Sequence, residues 1–300
     1  MKVNRIRQNV FPILAALIWG TAFVAQSVGA DYVEPFTFNA ARAAIASVFL
    51  LVLCMVMRGR KKAAGDPVNT GSRRDLLVGG ASCGTALAVA TALQQKGLET
   101  TTSGKAGFIT ALYIVLVPIV GIFLKKMPPK TIWVSVVLAV VGLYCLCINE
   151  GFTIATGDLY VLMCAFCFTA HILIIDHFTQ KVDGVELSCA QFFVMTVLSA
   201  IGMVLTESPS IEAISACIGP ILYVGIFSSG VAYTLQILAQ KDSDPTVVSV
   251  LLSLESVFAT LAGAIILGDQ MSGREYFGCV LVMVAVILAQ LPDKKEVSAN

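Results

Sequence analysis

PTVVSVLLSLESVFATLAGAIIL, residues 245–267, decides the fold class of this chain. At ~1.5 Å of rise per residue, a helix of this length crosses the ~30 Å hydrocarbon core of a bilayer. Segments of the same kind recur along the sequence. Before a polar break they lie at about 10–30, 37–57, 75–95, 104–124 and 131–148; after it come 158–176, 185–205, 216–239, the quoted stretch and 274–291. The sequence thus predicts an all-α integral membrane protein with ten transmembrane helices in two sets of five. Five is odd, so the second set enters the membrane from the side opposite to the first. Sets that fold alike then form an inverted repeat, the architecture of many secondary transporters.

Hydrophobic residues make up 57% of the 300 and charged residues 13%, against about 25% charged in soluble proteins. The net charge of +1 identifies no partner, but the distribution of charge orients the chain. With the N-terminus in the cytoplasm and ten crossings, every Lys and Arg except Arg42, Lys96, Lys105 and Arg274 falls in a cytoplasmic segment. The positive-inside rule therefore predicts a multi-pass protein of the cytoplasmic (plasma) membrane with both termini cytoplasmic. One missed span would scramble everything after it, so the alternation also tests the count. The basic residues before the first span suggest a secretory signal, but the apolar run is too long for one and more spans follow. The longest expected loop, 58–74, leaves no room for a soluble domain.

Several chemistries find no support. Cys54, Cys83, Cys145, Cys147, Cys164, Cys167, Cys189, Cys217 and Cys279 lie in or at the edges of apolar spans. Even Cys164-x-x-Cys167 reads as small apolar filler between helices. Gly104-Lys105 is followed by Ala106, which does not complete a phosphate loop, and His171 and His177 are six apart, not the four of a zinc-binding helix pair. No GxSxG elbow occurs. The expectation is a protein that is not an enzyme, with no cofactor, no metal and no nucleic-acid partner.

What remains is a set of polar residues that a bilayer penalises. Glu255 has no other ionisable residue within ten positions on either side. A charge at that depth costs ~2.5–3.5 kcal/mol on insertion scales, so it should face the bundle interior. It reads either as a protonatable or substrate-binding group in a central cavity, or as a hydrogen-bonded tie between helices. Arg42 lies about 8 Å inside the second span at ~1.5 Å per residue. It either snorkels to the interface or lines the outer mouth of a cavity with Asn39 beside it. His171 is deeper, and a bond to a neighbouring helix would satisfy it. Lys105 reads as interfacial; Asp176 and Asp269 sit at helix ends and read as solvated. Gly79, Gly80 and Gly84 in the third span, and Gly225, Ser228, Ser229 and Gly230 in the eighth, predict close helix packing near the centre. Pro118 predicts a kink in the fourth span. Trp19, Phe23, Phe108, Tyr113, Tyr233 and Phe258 read mostly as packing or interfacial residues.

The internal repeat is weak by identity and coherent by pattern. A shift of 149 aligns Glu34 with Asp183 and Arg42 with Gln191; one of 146 aligns Gly79 with Gly225, Gly84 with Gly230 and Gln94 with Gln240. A shift of 143 aligns Leu124 with Leu267 and Leu138 with Leu281. LAALIWGTAF (14–23) and FNAARAAIASVFLLVL (38–53) resemble the opening of EamA-type proteins of the drug/metabolite transporter superfamily. GKAGFITALYIVLVPIVGIFLKK (104–126) and LLSLESVFATLAGAIILGDQMS (251–272) are similar to that family's fourth and ninth helices. Two departures stand out: Ser256 where the family often has proline after the glutamate, and Phe168 where a tryptophan matching Trp19 often recurs.

The resemblance implies a ten-helix basket around a central cavity, with five-helix repeats at 8–148 and 158–292 and a cytoplasmic tail at 293–300. It implies a secondary transporter exporting a small organic metabolite or drug-like compound by alternating access, with proton coupling as one option. Glu255, Arg42, Asn39, Gln26, Tyr113, Trp19 and His171 are the expected substrate-binding or coupling residues. The expected partners are a small-molecule substrate and the lipid bilayer, and a homodimer stays open. An importer, an uncoupled facilitator, and a non-transporting membrane enzyme or scaffold remain as alternatives.

Overall fold

The structure, a computed structural model, describes residues 6–64, 71–101, 103–125, 127–148, 155–262, 264–265 and 271–291. Asp269, the end of the ninth span and the tail at 293–300 lie outside the described residues. A backbone in hydrocarbon must satisfy its own polar groups, and the described chain does so almost entirely as helix. The first repeat comprises α1 (Arg7–Ala30), α2 (Pro35–Ala64), α3 (Arg73–Leu98), α4 (Lys105–Phe123) and α5 (Lys130–Cys147). The second comprises α6 (Thr156–Thr179), α7 (Gly184–Thr206), α8 (Ile218–Gln240), α9 (Pro245–Ala262) and α10 (Gly273–Ala289). At 17 residues α10 is ~25 Å long, slightly less than the hydrocarbon core. A short helix, Ile211–Ala216, joins α7 to α8.

Local chemistry sets the helix ends. Asp183 accepts from the backbone N–H of Val185 and Glu186 to open α7, and Asp244 accepts from Thr246 to open α9. Ser272 and Glu275 form a reciprocal capping box at the start of α10. One expectation changes. The expected loop at 58–74 begins later, because α2 continues through Arg58, Arg60, Lys61 and Lys62 to Ala64. Arg, Lys and Ala are good helix formers, and cations favour a helix C-terminus.

The packing is that of two like halves. α2 packs along α7, and α5 along α10. α3 lies against α6 and α7, just as α8 lies against α1 and α2; α4 meets α6 as α9 meets α1. Exchanging each helix with its counterpart five places on maps this set of contacts onto itself. That is the signature of a twofold axis in the membrane plane. The small-residue clusters sit where the halves interlock. A Cβ on Gly84 would stand 2.5 Å from the Gln191 carbonyl oxygen, and one on Gly225 would stand 2.9 Å from the Ile45 side chain. α5 and α10 cross equally closely at Gly142 and Gly278, where a Cβ on Gly278 would lie 2.6 Å from the Gly142 carbonyl oxygen. Val48, Leu51, Met55, Val197, Ile201 and Val204 face outward, as a lipid-exposed surface requires.

Polar clamps close the two faces of the bundle. On the face that carries residues 6–8, Arg58 pairs with Glu186 at 2.9 Å, Lys61 with Asp183 at 3.4 Å and Arg7 with Asp242 at 3.6 Å. On the opposite face, Glu207 accepts from the backbone N–H of Phe36 and of Thr37, both at 2.7 Å, and from the Thr37 hydroxyl. Also there, Lys105 pairs with Asp158 at 2.5 Å, and Asp158 takes the Thr101 hydroxyl and the Ala155 N–H. Lys105 is thus tied to α6 at the membrane boundary.

Candidate functional site

α4 and α9 are both interrupted. α4 breaks between the helical pieces that end at Thr110 and begin at Tyr113, and α9 between those that end at Leu252 and begin at Leu254. At each junction the backbone tightens to i→i−3 bonding: Leu112 to Ile109 and Ile114 to Ala111 in α4, Ser253 to Val250 and Ser256 to Ser253 in α9. Turns of this kind inside a helix mark hinges and strained positions. In α9 the Ser253 hydroxyl donates to the Val250 carbonyl at 2.7 Å, competing with the ladder. In α4 the expected kink at Pro118 is displaced: Tyr113–Phe123 runs continuously through the proline, and the interruption falls at 111–112. The proline ring crowds the carbonyl four residues back, at Ile114, which sits in the turn just after the break.

The shift of 143 that aligns α4 with α9 puts the two interruptions within about two residues of each other, with Tyr113 and Glu255 each just beyond one. There the Tyr113 hydroxyl donates to Glu255 Oε1 at 3.4 Å. Both residues border a cavity between the two repeats. α1 contributes Trp19, Phe23 and Gln26 to it, and α2 contributes Arg42. Gln94 comes from α3, Thr110 from α4, Phe168 and Ile172 from α6. Ser228, Tyr233 and Gln236 of α8 and Leu252 of α9 complete the wall. The cavity measures about 50 Å³, room for a few waters. A solute the size of a metabolite enters only if the walls part.

Arg42 does not snorkel. It is 3% exposed, and Nη1 donates to Gln26 Oε1 at 3.1 Å. Its Nε has no hydrogen-bond partner, and its guanidinium carbon lies 5.9 Å from the Phe38 ring centroid. Glu255 is 5% exposed. Trp19 packs on Tyr233 with ring centroids 4.7 Å apart, and its indole N–H donates to the Ser228 carbonyl at 3.3 Å. Ser228 lies in a π-helical stretch of α8, Val224–Ala232, and its carbonyl accepts the Tyr233 backbone N–H as well as the indole.

Five of the seven expected residues, Glu255, Arg42, Gln26, Tyr113 and Trp19, line the cavity; Asn39 and His171 do not. His171 is fully buried behind Tyr233, with Nε2 bonded to Gln191 Oε1 at 3.0 Å and its ring edge-on to Tyr233. Asn39 is also fully buried, one turn before Arg42, and neither of its side-chain polar atoms has a partner. Sequence alone does not count among the site residues Gln94, which donates to the Thr110 hydroxyl at 3.2 Å, or Gln236, and it reads Tyr233 as a packing or interfacial aromatic. A signal existed: Ser229, Tyr233, Gln236 and Gln240 recur at helical spacing and mark one polar face of α8.

Comparison with known proteins agrees with this architecture. The sequence pattern of the EamA-like transporter family matches residues 8–148 and again 155–291. An uncharacterized transporter of Archaeoglobus fulgidus is 33% identical over 290 residues, covering 96% of this chain and 87% of its own. The uncharacterized transporter YwfM of Bacillus subtilis is 24% identical over 297 residues, covering 97% and 96%. A solved structure described as "Crystal structure of protein" superposes with a TM-score of 0.77 at 20% identity, over 94% of this chain and 96% of that one. At that identity the likeness speaks for the fold.

Proposed function

The chain belongs to the EamA-like transporter family, and on that premise we propose that it is a secondary transporter exporting a small organic solute across the cytoplasmic membrane by alternating access. One observation carries the reading. Two interrupted helices, one from each repeat, meet at a cavity that holds a buried arginine and a buried glutamate. Interrupted helices in inverted repeats are where secondary transporters build their binding sites. Rocking of one half against the other would open this space to each side in turn. The basic residues gathered on one side support cytoplasmic termini.

Glu255 is the candidate coupling residue. It stands beside a hinge, faces the cavity and is held by a single hydroxyl, so taking up a proton changes the charge of the site without dismantling a network. The test is an untargeted metabolite profile, inside and outside cells, with wild type and Glu255→Ala at equal membrane levels. Faster loss of one compound class from wild-type cells only is the expected result. Faster entry would reverse the direction, and no difference would remove the support for export. In proteoliposomes, Glu255→Gln should abolish flux driven by a pH gradient while leaving folding intact; normal gradient-driven flux would sink the coupling role.

A further inference from the structure

Sequence alone reads the nine cysteines as filler, and for two of them the structure points elsewhere. We infer that Cys54 of α2 and Cys189 of α7 form a thiol–disulfide modification site that, when oxidised, fastens the first repeat to the second beside the Arg58 clamp. All nine cysteines are free thiols. Those of Cys54 and Cys189 are within hydrogen-bonding reach of each other, across two helices from different repeats. The seam between the helices brings them together. α2 and α7 run antiparallel, and the Ser47 and Thr196 hydroxyls meet at 3.1 Å. Seven residues onward along α2 and seven back along α7, about two turns in each, the same faces meet again at Cys54 and Cys189. A disulfide closes only where two backbones already approach closely. A bond between side chains as short as those of Ser47 and Thr196 shows that this seam is close.

The pair is reachable. Cys54 is buried and Cys189 half-buried. A crevice lined by Cys54, Met57, Arg58, Asp183 and Glu186 lies between α2 and the start of α7. Arg58 is exposed, so the crevice meets solvent on the face that carries residues 6–8. Its free volume is about 10 Å³, room for one very small molecule, which favours hydrogen peroxide over bulkier oxidants. One sulfur attacks the peroxide O–O bond and takes up an oxygen as S–OH, releasing a first water. The other sulfur then attacks that sulfur, and the hydroxyl leaves with the second thiol's proton as a second water. Two thiols thus lose two electrons and two hydrogens, and the peroxide is reduced. With the cytoplasmic termini proposed above, this face meets the reducing side of the membrane, where protein disulfides are transient and redox-sensing. The neighbouring Arg58–Glu186 and Lys61–Asp183 pairs are solvent-exposed on their basic side, and such pairs hold weakly. A covalent bond would keep the ends of α2 and α7 together whether or not those pairs are made.

The test uses full-length protein in proteoliposomes, treated with hydrogen peroxide and mapped by mass spectrometry. Cys54 and Cys189 should be recovered joined, less two hydrogens, and should oxidise at least tenfold faster than Cys145 or Cys167, which are also half-buried. A dithiol reductant should restore both thiols. Amide exchange over residues 185–189, at the start of α7, should slow at least tenfold on oxidation. It should not slow in Cys54→Ala or Cys189→Ala, where the remaining thiol has no partner. Recovery of both residues as free thiols, or as separate sulfinic acids, would overturn the site. A disulfide that leaves amide exchange unchanged, or slowing that persists in both variants, would overturn the fastening of the repeats. None of these readouts uses solute flux, so their failure is distinct from a failure of the transporter reading.

Discussion

Ser47 and Thr196 share a hydrogen bond of 3.1 Å and are each other's counterparts, 149 residues apart, in the two repeats. A residue that touches its own counterpart lies on the axis relating them, so this bond marks where the pseudo-twofold passes through the α2–α7 pair. The neighbouring contacts run symmetrically away from it. Towards one face Arg58 of α2 reaches the start of α7, and towards the other Glu207 of α7, the counterpart of Arg58, reaches the start of α2.

Removing the bond on the axis should cost little. Hydrogen bonds between membrane helices average about 0.6 kcal/mol and rarely exceed about 1.7. Ser47→Ala and Thr196→Ala are each expected to lose about that much. A double-mutant cycle on detergent-solubilised protein should return most of it as coupling, because each single change already breaks the shared bond. Fully additive losses would mean that the two hydroxyls do not interact.

Gly84→Ala tests the close approach of α3 to α7. The new methyl would lie 2.5 Å from a backbone oxygen, at Gln191, which cannot turn aside as a side chain can. An overpacking cost of about 1–3 kcal/mol follows. Gly59→Ala serves as the control, since nothing lies within 4 Å of its Cβ position, and a helix favours alanine. Thermal melts should separate the two clearly.

Gly20→Ala acts on the site through the backbone. Its methyl would meet the Phe258 Cβ at 2.6 Å and the Glu255 carbonyl oxygen at 2.7 Å. α9 must move away from α1, carrying Glu255 with it. Transport per folded molecule should fall at least tenfold, a loss larger than any fall in protein level. Normal specific flux would show that the position of α9 against α1 is not critical.

Glu207 anchors the first turn of α2 with both carboxylate oxygens. Glu207→Ala leaves two N–H groups and a hydroxyl without their acceptor and should destabilise by about 1–2 kcal/mol. Glu207→Gln keeps one acceptor oxygen and should lose roughly half as much. Amide exchange at Phe36 and Thr37 should quicken in the same order.

The sequence discloses what the bilayer forces on it. Spans are legible because every segment in hydrocarbon must be long and apolar, and the structure places the helices within a few residues of the expected limits, α2 apart. Glu255 and Arg42 stand out because charges are rare there. Gln94, Thr110 and Gln236 do not, since neutral polar residues also serve ordinary helix packing. Asn39 and His171 show the converse: their burial could be foreseen, but which neighbour they face depends on contacts distant in sequence. The break in α9 rests on Ser253, a residue that sits inside many unbroken helices, and becomes visible only when its hydroxyl is seen on the Val250 carbonyl.

The two ends of the α2–α7 pair are fastened by different physics. Glu207 grips backbone N–H groups, while the other end relies on Arg58 and Lys61, whose side chains are 53% and 39% exposed. Added salt weakens solvent-exposed ion pairs, whereas hydrogen bonds to a helix end are less affected. Salt therefore acts on one end of the pair more than on the other. Under the proposed alternating access, raising the ionic strength on the side of Arg58 would weaken that end first, so the electrolyte on one side of the membrane would bias the cycle.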